Sequence, residues 1–145
     1  MSGISGRKKS MTSTNPPISP LPESSAERKN YPVWSGALAY APAAFALMAR
    51  HSVYGNNKHN PGEPLHHARG KSADHVDCIV RHLIDYESMC VSGQPSGERL
   101  REELGALIWR TAVFVQEQLE RHGYAPQAPR AMRAEQDPAG LERAL

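Results

Sequence analysis

The side chains of this 145-residue chain that could do chemistry gather between Gly55 and Asp85, with one outlier at Glu103. On a helix, at about 100° per residue, Asp74, Asp77, Arg81 and Asp85 fall together, opposite an aliphatic stripe of Val76, Ile79, Val80 and Leu83. Two carboxylates one turn apart can share a hard divalent cation such as Mg²⁺ or Mn²⁺. The plainer reading is a solvated helix face, with Asp74 favoured in a first turn by the helix dipole alone. Glu103 borders the inner stripe of a later helix and has no basic residue at i+4, so an acid there calls for a cation from elsewhere.

Histidine offers a second kind of site, because four of the seven histidines, His59, His66, His67 and His75, fall between positions 59 and 75. The spacings argue against it. His66 and His67 are adjacent, no H-E-x-x-H occurs, and Asp74-His75 reverses the His-Asp order that a shared-metal phosphohydrolase needs. What remains is a segment, Gly55 to Lys71, that reads as an irregular connection of a length usually reserved for function or disorder. Its Asn56, Asn57, Lys58, His59, Asn60, His66, His67, Arg69 and Lys71 suit anions and polar rings, whereas a flexible linker would hold more Ser and Glu.

Three helices must position these residues, and no segment alternates as a strand would. The first helix is expected from Pro42 through Phe45 and Met48 to about Val53, with Gly55 as its stop and a possible extra turn at Ser35 to Tyr40. The second starts at an N-cap Ser72, buries Val76, Ile79, Val80 and Leu83, and ends near Glu87. The third follows Ser96 to about Arg121, with Leu100, Leu104, Leu107, Ile108, Thr111, Val115 and Leu119 inward. Its other side carries a second apolar strip, Ala106, Trp109 and Val113, which predicts a homo-oligomer, dimer or tetramer; the alternative is one exposed Trp on a monomer.

The fold class is therefore all-α: a small helical bundle over residues 31–124, completed by oligomerisation, between an N-terminal tail (1–30) and a C-terminal tail (125–145) rich in Pro. A net charge of +2, from 17 basic and 15 acidic residues, is too balanced for dedicated nucleic-acid binding. Cys78 and Cys90 make neither a disulfide scaffold nor a C-x-x-C site, and no apolar run is long enough for a signal peptide or a membrane span. A cytoplasmic protein is expected.

The run Val53-Tyr-Gly-Asn-Asn-Lys-His-Asn-Pro-Gly-Glu-Pro-Leu-His-His-Ala-Arg-Gly-Lys-Ser-Ala-Asp-His-Val-Asp-Cys, with Tyr31-Pro-Val-Trp-Ser-Gly before it and Arg81-His-Leu and Trp109-Arg after it, resembles the phage-borne branch of the MazG-like all-α nucleoside triphosphate pyrophosphatases, the dATP/dGTP diphosphohydrolases. The resemblance covers about Tyr31 to Leu119 and leaves out both tails. It implies hydrolysis of dGTP or dATP to the monophosphate and pyrophosphate with Mg²⁺ or Mn²⁺, in the host cytoplasm if the chain is phage-encoded. The product dGMP would feed 2-aminoadenine nucleotide synthesis while competing nucleotides are depleted. It further implies Asp74, Asp77 and Glu103 as catalytic metal ligands; the family's second acidic pair would fall on Glu103 and Ala106, so one ligand is missing, and Glu63, Glu102 or another subunit would supply it. Lys58, Arg69 and Lys71 would then bind phosphates, Trp34, Asn56, Asn57 and His59 the base, with Asn60 and His66 beside them. The competing expectation is a non-enzymatic helical module, regulatory or nucleic-acid-binding, using the basic loop and tail.

Overall fold

The computed structural model describes residues 19–65 and 72–129. Among these, all regular structure is helical: α1 (Ser25–Arg28), a π-helical turn over Trp34–Leu38, α2 (Pro42–His59), α3 (His75–Val91) and α4 (Gly97–Arg121). The single turn of α1 is capped by the Ser24 hydroxyl, which accepts from the Glu27 N–H. It lies in what reads from sequence as tail.

Helix α2 starts as expected, with Pro42 in its first turn, but it runs straight through Gly55 to His59. Glycine in a helix interior costs about 1 kcal/mol relative to Ala, too little by itself to end a helix. The real stop is Asn60-Pro61-Gly62. Proline disfavours helical geometry at the residue before it, and Asn60 sits at φ −137°, ψ 62°, followed by Gly62 at φ +82°. The residues Asn56 to His59, expected in an irregular connection, are thus helical.

Helix α3 has Asp74 at its N-cap position, two residues later than the expected Ser72 and without a side-chain cap, and extends past Glu87 to Val91. Gly93, at φ +71°, then closes it, its successor Gln94 donating back to the Met89 carbonyl. Helix α4 has the expected bounds. Ser96 precedes it, and Gly123, at φ +73°, lets Tyr124 donate to the Leu119 carbonyl. The chain does not leave the fold at Tyr124: Ala125 is buried, and the Ala128 N–H donates to the Glu120 carboxylate at 2.9 Å.

α4 is the shared partner of α2 and α3. His75 pairs with Glu117 and His82 with Glu103, so partner numbers fall as α3 numbers rise and the two helices are antiparallel. This docking rotates α3 by part of a turn from the sequence expectation, leaving Ile79 half-buried and Asp74, Asp77 and Arg81 exposed. His75, Cys78 and Met89 are buried, with His82 and Asp85 half-buried, whereas Val76, Val80, Leu83 and Ile84 are exposed. On α4, Gly105 and Ala106 are buried, while Thr111, Val115 and Leu119 face outward. Of the strip that reads as an oligomer contact, Ala106 is buried within the chain, whereas Trp109 and Val113 are half-buried. No large side chain among the described residues is fully buried, so the three helices form a layer rather than an enclosed core.

Candidate functional site

The α3–α4 contact is built from two imidazole–carboxylate pairs. His82 Nδ1 lies 2.7 Å from Glu103 Oε2, and His75 Nε2 lies 3.3 Å from Glu117 Oε2 with Phe114 beside the ring. Glu103 and Glu117 are 14 positions apart on α4, close to four full turns, and so present one face to α3. Glu103 finds its partner across helices, in the His82 imidazole. Sequence reading missed His82 because a cross-helix pair has no spacing signature.

His51 of α2 joins this cluster from the other side. Gly105 makes room for it: a Cβ at that position would stand 3.3 Å from His51 Cβ and 3.3 Å from the Leu47 carbonyl oxygen. Burial pushes the His51 imidazole below its ordinary pKa, helped by nearby His82 and Arg110 and opposed by Glu103. Its ring centroid is 6.1 Å from Tyr54 and 6.0 Å from Trp109, and the Arg110 guanidinium lies 5.4 Å from the Trp109 centroid. Arg50, on the outer side of α2, pairs with Glu98.

Asp74 and Asp77 stand apart from Glu103. Eight residues of α3 separate Asp74 from His82, about 12 Å of helix axis, and it is His82 that holds Glu103. Asp74 is engaged locally: Arg81 Nη2 donates to Asp74 Oδ2 at 3.0 Å, and the Cys78 thiol lies 3.4 Å from the same oxygen. These two hydrogen bonds, that of Arg81 foremost, hold the Asp74 carboxyl below the usual carboxylate range. Asp77 is exposed one turn on. Among the described residues, no three of His, Cys, Asp and Glu stand together as a metal-holding group. The expected trio of Asp74, Asp77 and Glu103 is therefore not assembled within one chain, and these residues do not fit a metal by themselves.

The expected substrate residues are scattered in role. Asn56 is buried at the end of α2 and donates its amide to the Glu63 carbonyl at 2.9 Å, which ties down the turn after the helix rather than offering a base-reading edge. Glu63 itself is exposed, as are Asn57, Lys58 and His59 on the last turn of α2, with Asn60 as its cap. Trp34 is 72% exposed in the π-helical turn. His66, His67, Arg69 and Lys71 lie outside the described residues.

Comparison with protein-family models, with curated proteins and with solved structures finds no match to this chain. No helix among the described residues is long and apolar enough to cross a membrane.

Proposed function

We propose that this chain is a nucleoside triphosphate pyrophosphatase that converts purine deoxynucleoside triphosphates, dGTP and dATP, to the monophosphate and pyrophosphate. Water adds at the α-phosphorus, the bond to the oxygen bridging to the β-phosphorus breaks, and pyrophosphate leaves. The observation that carries the reading is the run from Val53 to Cys78, whose polar residues lie on the last turn of α2 (Asn57, Lys58, His59) and at the start of α3 (Asp74, Asp77). Lys58 there would hold phosphate, with Arg69 and Lys71 of the same run. Mg²⁺ or Mn²⁺ belongs to this reading as a requirement of the catalyst. Since one chain's described acids do not converge, the reading needs a homo-oligomer. Support for that comes from the exposed aliphatic face of α3, which Asp77 borders, so that a second copy seated there would bring further carboxylates to the same edge.

Incubation of the protein with each dNTP and Mg²⁺ or Mn²⁺ tests the proposal. Purine monophosphate plus pyrophosphate, abolished by chelation, is the expected outcome; nucleoside plus triphosphate, or no turnover, overturns it. The exposed α3 face also favours a second reading, a non-enzymatic helical module that docks on a partner. Strongly salt-dependent DNA binding without nucleotide turnover would select its nucleic-acid-binding form.

A further inference from the structure

We propose that Tyr54, His51 and Trp109 form a stacking platform for a purine base where α2 crosses α4. The assignment rests on the nucleotide reading above and places the base away from Trp34 and Asn56. The three rings follow one another from the exposed edge of α2 inward, Tyr54 to His51 at 6.1 Å and 35°, then His51 to Trp109 at 6.0 Å and 53°. Tyr54 is half exposed, so part of its ring is open to a ligand. Beside it Gly55 borders empty space, with nothing within 4 Å of where a Cβ would stand. A glycine in the middle of a helix that gives up about 1 kcal/mol of propensity, yet faces no packing neighbour, suits close approach of something outside the chain.

Helical spacing puts His51, Tyr54, Gly55 and Lys58 within an arc of about 100° on α2. A cation therefore stands one turn beyond the open ground, and Arg110 supplies another at the Trp109 end. An aromatic surface with positive charge at both ends matches a nucleobase carrying phosphates. A fused purine covers more of a multi-ring surface than a pyrimidine does.

The chain has two tryptophans, so Trp34→Phe leaves Trp109 as its only indole. In that background, Trp109 fluorescence is titrated with dGMP, dAMP, dCMP and dTMP in EDTA, where no turnover intervenes. Saturable quenching by the purine nucleotides, weaker with the pyrimidines, is expected. Tyr54→Ala should weaken it roughly tenfold or more, the loss that removal of one stacking ring brings. Gly55→Leu fills the open ground without opposing the helix and should weaken it as much, while far-ultraviolet circular dichroism stays that of the parent. No saturable response, or one that both variants leave unchanged, overturns the platform. Turnover of dGTP without a Trp109 response removes the platform and leaves the hydrolytic reading standing. A purine-selective response without turnover does the reverse.

Discussion

Asp77 and His51 show how differently two polar side chains can be used. Asp77 is exposed on α3, one turn from an Asp74 already committed to Arg81. As a solvated acid it would change stability by less than about 0.5 kcal/mol on conversion to Asn and leave turnover untouched. As part of a metal edge completed by a second copy, Asp77→Asn is expected to cut turnover by orders of magnitude and to shrink the rise in melting temperature on adding Mn²⁺. Turnover and melting with and without Mn²⁺ decide it; an active variant with an unchanged shift takes Asp77 out of the site. His51 makes a prediction about pH. Its folded pKa is depressed by burial, so below the ordinary imidazole value, near ~6.5, the unfolded chain takes up a proton that the folded chain refuses. Stability from this group is present above that value and lost as pH falls through it. Between pH 7.5 and 5.5 the wild-type melting temperature should drop more steeply than that of His51→Gln. Parallel curves would show that His51 is not the group responsible.

At the scale of the element, two helical glycines carry opposite expectations. Gly55 in α2 faces open space, so Gly55→Ala should gain about 0.5–1 kcal/mol from helix propensity with nothing to oppose it. Gly105 in α4 faces the Leu47 carbonyl and His51 Cβ at 3.3 Å, and a backbone oxygen cannot swing aside. Gly105→Val adds bulk there and should cost about 1–3 kcal/mol, as overpacking does. Urea denaturation of both variants checks the pair; equal effects would mean that α2 and α4 do not meet at Gly105. The same scale explains why α2 is longer than its sequence suggests. A lone Gly weakens a helix by a propensity increment, whereas Pro61 forbids the geometry of the residue before it, so the stop lies at Asn60.

For the whole molecule, burial decides. α4 touches α2 and α3, and the apolar residues buried within the chain are Cys78, Met89, Ala106 and Ala125 among the described residues, too few for an ordinary core. The aliphatic face of α3, with Ile84 at 59% and Val76 at 56% exposure, is the surface that a second layer would cover. Sedimentation at tens of micromolar should therefore give a dimer or tetramer. Ile84→Lys should shift it to monomer and lower the melting temperature, since a buried aliphatic becomes a charge at the interface. A monomeric wild type sinks the oligomer, and with it the shared-acid version of the catalytic reading.

The helical class, the start of α2 at Pro42 and the bounds of α4 were legible in the residues, because caps, proline and apolar period act locally. The face that each helix turns inward was not. Periodicity identifies an aliphatic stripe on α3 and assigns it to the core, but it cannot know that His75 and His82 find Glu117 and Glu103 on α4, nor that this pairing sends Val76, Val80 and Leu83 outward. That Glu103 pairs with an imidazole on the neighbouring helix, 21 positions away in sequence, was not visible. The ring series from Tyr54 through His51 to Trp109 likewise joins residues 55 positions apart. Local chemistry fixes where a helix begins and ends, whereas its rotation depends on charge pairing and close approach between chain segments that only the folded structure brings together.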